Sequence, residues 1–222
     1  MSGMKKVTKR NLETPTARIL GLIDSLSQRS GVFHENINCF SFAQFAIGDT
    51  TYHVTIEGNI YYANKFTNYD WTPCTISYVK DGIYPAITIS GVNLLAYTVV
   101  LTALNPDFYE RYAMDSRLVI NHLLIEPYAI SHRYTTTSSR PIREFNMNPH
   151  FLEVITRGEN TKHGRFIEKY GLWGISVKYS EIAILAPLLQ QLPEDTDFAD
   201  YVAELYKDDS LEDPRDFREF LQ

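Results

Sequence analysis

The polar segment that follows Phe151-Leu152-Glu153-Val154-Ile155-Thr156 holds two side chains whose spacing suits metal chemistry. The run up to Thr156 is rich in β-forming residues and breaks at Arg157-Gly158; Asn160 and His163 follow, three residues apart. On a helix, residues at i and i+3 share a face, so an amide oxygen and an imidazole are directed toward one place. Hard oxygen donors suit Mg²⁺ and imidazole suits the transition metals, so the chemistry on offer is divalent-cation binding. The same spacing also describes the polar start of a surface helix. Upstream, Asn121-His122 follows the apolar run Leu118-Val119-Ile120, which reads as a strand delivering a polar pair to its end. Neighbours on a strand face opposite ways, so both reach one site only where the strand bends. The other reading is a buried His122 satisfied by a backbone carbonyl.

Elements must exist to position these groups. Thr14 and Pro15 mark a helix start, and Ala17, Ile19, Leu20, Ile23 and Leu26 form its apolar face. From Phe33 to Ala96 the chain is rich in Tyr, Thr, Ile and Phe and is broken by Gly48-Asp49, Glu57-Gly58-Asn59, Asp81-Gly82 and Ser90-Gly91, which predicts strands and turns. Residues 86–90 and 94–100 read as strands joined at Gly91, the second running into a short helix that Asn105-Pro106 stops. Residues 111–148 are polar and read as mostly loop. A helix is predicted from Ser180 to Leu192, kinked or broken at Pro187 and ended by Pro193, with another helix on Phe198, Val202 and Leu205. His53-Val54-Thr55 is one His-x-Thr arm of a chemistry that needs two; with no second arm it reads as plain strand. Trp71 and Trp173 can stack bases or fill core. Lys162, Arg165 and Lys169 lie at helical spacings that suit phosphates or a solvated face.

Composition bounds the setting. With 222 residues and 44% hydrophobic side chains, the chain can bury a substantial core. No apolar run approaches the roughly 18 residues of a membrane span, and no leader pattern follows Met1. Cys39 and Cys74 are the only cysteines, too few for a Cys-rich zinc site. The expected setting is therefore cytoplasmic, with no membrane partner. Net charge is −6 but uneven: from Glu194 to Gln222 eleven carboxylates face three basic side chains, a balance of −8. The remainder carries +2 and begins with a basic arm (Lys5, Lys6, Lys9, Arg10). The body can meet nucleic acid; the tail cannot, because phosphate contacts need Lys and Arg, and a protein partner fits it better.

The order of these segments resembles the phage and intron-encoded HNH homing endonucleases. From Glu57 to Lys178, Glu57-Gly58-Asn59-Ile60-Tyr61 is similar to the family's first turn, residues 82–100 to its hairpin and helix, and Asn105-Pro106 to the stop. Leu118 to His122 is similar to the strand that ends in its catalytic His, and Phe151 to His163 to its closing motif. The resemblance implies a general base at His122 and metal ligands at Asn121, Asn160 and His163, with Mg²⁺ or another divalent metal. It implies double-stranded DNA as partner, contacted by Lys162, Arg165, Arg140 and Arg143. Tyr97 and Thr98 replace the family's His and Arg, Phe151 replaces an Asn, and Leu123-Leu124-Ile125-Glu126 replaces a tight turn, which implies activity weakened or lost. The expected class is α+β: basic arm and helix (1–30), an α+β domain with a ββα-metal, HNH-like core (31–178), and acidic C-terminal helices (179–222). The alternative is a catalytically inactive, repurposed scaffold that regulates or docks a protein through those helices.

Overall fold

Thr14 opens the first helix as its spacing predicts: its hydroxyl accepts from the Ala17 amide at 3.2 Å, and Pro15 takes the first position, where a missing N–H costs nothing. In this computed structural model residues 9–35, 39–80, 82–129, 137–193 and 195–207 are described. They build a mixed α and β protein of two compact units. The first runs to Leu118 and adds Asn146–His150; the second comprises Val119–Phe145 and the chain from Phe151 on.

In the first unit, helix α1 (Pro15–Leu26) precedes an antiparallel sheet of β1 (Val32–His34), β2 (Cys39–Ile47), β3 (Thr50–Thr55), β4 (Ile60–Ala63) and β5 (Thr72–Pro73), paired in that order. A second sheet holds β6 (Ser77–Val79), β7 (Tyr84–Ile89) and β8 (Val92–Leu95), followed by α2 (Ala96–Leu104) and α3 (Phe108–Met114). Along β2 the period of two is visible: Ala43 and Phe45 are buried, while Phe42, Gln44 and Ala46 are exposed. Central β3 is instead buried from Tyr52 to Thr55, so His53 is an internal residue beside Trp71, ring centroids 3.8 Å apart. Helix α2 is buried from Ala96 through Ala103, as an apolar helix must be, and packs with Leu20 and Ile23 of α1 against Phe45, Val54, Ile87 and Ile89. Between β3 and β4, Gly58 has φ +88, and a Cβ there would lie 2.2 Å from the carbonyl oxygen of Met147. Only glycine fits that turn.

The second unit pairs β9 (Leu118–His122) with β12 (Leu152–Thr156), and between them in sequence stands the antiparallel hairpin of β10 (Ile125–Ala129) and β11 (Thr137–Pro141). Helices α4 (Arg157–Tyr170), α5 (Ile182–Leu189) and α6 (Phe198–Lys207) complete it. Ile167, Leu172, Ile175, Val177, Leu185, Leu189 and Val202 form its main core, and Leu123, Leu124, Ile142 and Phe151 a smaller one.

Four sequence expectations need correction. The strand expected over 94–100 ends at Leu95, and Ala96 to Val100 belong to α2. Residues 111–148 are not mostly loop, because α3, β9, β10 and β11 occupy much of them. Strand pairing between Ile125 and Pro141 is a property of the pair, which the polarity of either segment alone does not display. The helix expected from Ser180 starts later: a 3₁₀ turn at Tyr179–Glu181, in which the Lys178 amide donates to Glu181 Oε2 at 2.7 Å, leads into α5 at Ile182. Pro187 neither ends nor breaks α5, which runs through it to Leu189, well before Pro193.

Candidate metal and nucleic-acid site

Strand β9 delivers Asn121 and His122 to its end, and both are buried, at 4% and 7% exposure. That departs from strand alternation. The departure occurs where the chain turns inward: Leu123 and Leu124 enter the small core with Ile142 and Phe151. The Leu123 amide donates to the Phe151 carbonyl at 2.9 Å, which fixes the residue after His122 to the residue before β12. Phe151 gives its ring to that core and meets Phe145 edge to face, centroids 5.5 Å apart.

Asn121 carries an observation that bears on a cation. Its buried Nδ2 has no hydrogen-bond partner among the described residues, and a buried amide atom left unpaired calls for an account. Which amide atom is oxygen is settled by the partner it meets, so the side chain can present an oxygen donor to a hard cation. As placed, the unpaired atom is an N–H donor that asks for an acceptor, and only an amide turned the other way would offer oxygen there. The wider donor set is lean: among the described residues no three His, Cys, Asp or Glu side chains gather as a metal group.

Helix α4 follows β12 directly because Thr156 and Glu159 make a capping box. The Thr156 hydroxyl accepts from the Glu159 amide at 3.3 Å, and the Thr156 amide donates to Glu159 Oε2 at 2.7 Å. The hydrogen bonds from Thr156 hold the Glu159 carboxyl below its usual range. On this helix His163 is 1% exposed and shares a 2.7 Å hydrogen bond between Nε2 and the Val177 carbonyl. The carbonyl can only accept, so Nε2 carries the proton and Nδ1 is the bare nitrogen. Burial pushes the His163 pKa down, against the raising influence of that bond and of Glu153 and Glu181. The ring is a neutral internal brace with one nitrogen left for a metal.

Asn160 meets different surroundings. It is half-buried and lines a cavity of about 290 Å³ with Ser139, Thr161, Gly164, Arg165, Glu168 and Trp173, a set that does not include His163. Of the cations, Lys162, Arg165 and Arg143 are exposed. Arg140 already serves the hairpin: its Nε donates to Glu126, and its guanidinium lies 4.9 Å from the Tyr128 ring centroid. Lys162 and Arg165 are in no ion pair with another described residue. Tyr97 is a core residue of the first unit whose phenol pKa burial pushes up, with Tyr84 edge-on at 6.4 Å. Cys74 is likewise pushed up, to about 12, by burial, so its thiol stays protonated and inert. Residues 1–8, 130–136 and 208–222, which hold half of the basic arm and much of the acidic tail, lie outside the described residues.

Two features escaped the sequence reading. The capping box was signalled by Thr156-x-x-Glu159, a known helix-start pattern. The cavity had a fainter signal, a glycine inside a helical stretch at Gly164. No helix among the described residues is long and apolar enough to cross a membrane. No protein-family model, no curated protein and no solved structure matches the chain.

Proposed function

We propose that the second unit is an HNH-like ββα module that binds double-stranded DNA and cleaves phosphodiester bonds slowly with a divalent cation, Mg²⁺ or a close substitute. The observation that carries this reading is an order of elements: β9 ends on the buried pair Asn121-His122, β12 pairs with β9, and α4 follows β12 without a break. In this reading the neutral imidazole of His122 accepts a proton from the water that attacks the scissile phosphorus, and the bond from phosphorus to the leaving oxygen breaks. Asn121 and Asn160 would hold the cation through amide oxygens, with His163 Nδ1 as the one ring nitrogen left to join them. The cation, when bound, supplies positive charge to the leaving oxygen. The proposed donors include no carboxylate, which keeps the cation weakly held. That lean set, with Tyr97 and Phe151 given to the cores, is the reason for slow chemistry.

DNA contact falls to Lys162 and Arg165, exposed on α4. The test is duplex binding measured over a range of salt concentrations. The slope of log affinity against log salt should fall in magnitude by about 1 when Lys162 becomes Ala. Identical slopes and affinities for both proteins would remove Lys162 from the interface, and no duplex binding at low salt would remove the DNA reading. A second reading, an inactive scaffold that regulates or docks a protein, draws on the His163–Val177 bond, which ties up one nitrogen of a proposed ligand. Duplex binding without cleavage would favour it.

A further inference from the structure

The cavity beside α4 has features that phosphate contact leaves unexplained. Gly164 lies inside a 14-residue helix, where glycine is less stable than alanine. No close neighbour requires it: a Cβ there would meet nothing within 4 Å. What the missing side chain provides is open space, and Gly164 lines the cavity. Arg165 and Glu168 line it too, at i and i+3, a spacing at which opposite charges ordinarily pair. Here neither is in an ion pair with another described residue. Trp173 packs against the main core of the unit and also lines the cavity.

We infer that this cavity binds one guanine base. A flat platform, a guanidinium fork and a carboxylate on one small cavity are complementary to guanine edge by edge. Arginine matches the paired acceptors O6 and N7. A carboxylate matches the paired donors N1–H and N2–H₂, which neither adenine nor thymine offers together. The indole of Trp173 supplies the stacking face. At about 290 Å³ the cavity lies at the small end of ligand sites, the size for a single base. The inference rests on the DNA reading only for the source of the base, which is either a free guanine nucleotide or an unpaired guanine in a single strand.

Calorimetric titration of the full chain with GMP, AMP, CMP and TMP tests it, beside short thymidine oligonucleotides with and without one guanine. GMP should bind at least about ten-fold more tightly than the other three nucleotides. Glu168→Gln should erase most of that preference. Gly164→Leu, a better helix former whose side chain enters the cavity, should abolish GMP binding without lowering the thermal midpoint. An oligonucleotide that gains affinity over GMP through its single guanine identifies a strand as the source; equal or weaker binding identifies the free nucleotide. Equal binding of all four nucleotides, no GMP binding at millimolar concentration, or unchanged binding by folded Gly164→Leu would overturn the proposal. Loss of duplex binding with GMP binding intact would remove the DNA reading alone, and the reverse result this one alone.

Discussion

His163 is where a residue read as a metal ligand turns out to carry a structural task as well. Its Nε2–H is given to Val177, and burial keeps the ring neutral. A histidine whose folded pKa is depressed binds fewer protons folded than unfolded near and below its ordinary value, so stability rises with pH through that window. The contribution is complete above the unfolded value of 6.5 and is lost as pH falls through 6.5 toward the lower folded value. Urea midpoints should therefore fall as pH drops below 6.5, and His163→Gln should flatten that slope; an equal slope in both proteins would contradict it. Gly58 makes a sharper case, because φ +88 and a Cβ 2.2 Å from the Met147 oxygen act together. Gly58→Ala should cost about 3 kcal/mol or more in chemical denaturation. A turn at Gly58 was legible in the sequence, since Glu57-Gly58-Asn59 interrupts two β-type runs. The approach of Met147, eighty-nine positions away, was not, because local spacing carries no record of a distant backbone. For the same reason Asn121-His122 could be read as a strand's end and His122 as a buried residue, while the burial of Asn121 beside it could not.

Elements with a local start signal were legible. Thr14-Pro15 opens α1, Asn105-Pro106 closes α2, and the break at Arg157 opens α4. The cap of α4 also sets the position of the helix that bears the proposed site. Thr156→Ala removes the hydroxyl that accepts from the Glu159 amide and should lower stability by about 1 kcal/mol, read as a shift in denaturation midpoint without a change of slope. An unchanged midpoint would mean that packing alone holds the start of α4. Elements that depend on a partner were not legible: Ile125–Ala129 and Thr137–Pro141 are ordinary polar segments until they pair. The run of α5 through Pro187 belongs to the same kind, since Leu185 and Leu189 on either side are held in the core of the second unit.

At the scale of the whole molecule, charge and chemistry are divided along the chain. The acidic residues after Glu194 begin with Asp195 and Asp197 ahead of α6 and continue as Asp200 and Glu204 within it; Ala199, Val202 and Ala203 of that helix are buried, so this part of the acidic segment is packed structure. The groups proposed to meet DNA and cation all lie in the second unit, on β9 and α4. Conversion of supercoiled plasmid to the open circle, with Mg²⁺ or Mn²⁺ present, tests the assignment of that unit most directly. The account predicts slow, metal-dependent nicking by the wild-type chain. It also predicts that His122→Ala and His122→Gln lose nicking while duplex binding is kept. Nicking that persists undiminished in both variants, or none by the wild-type chain at any divalent-metal concentration, would contradict it.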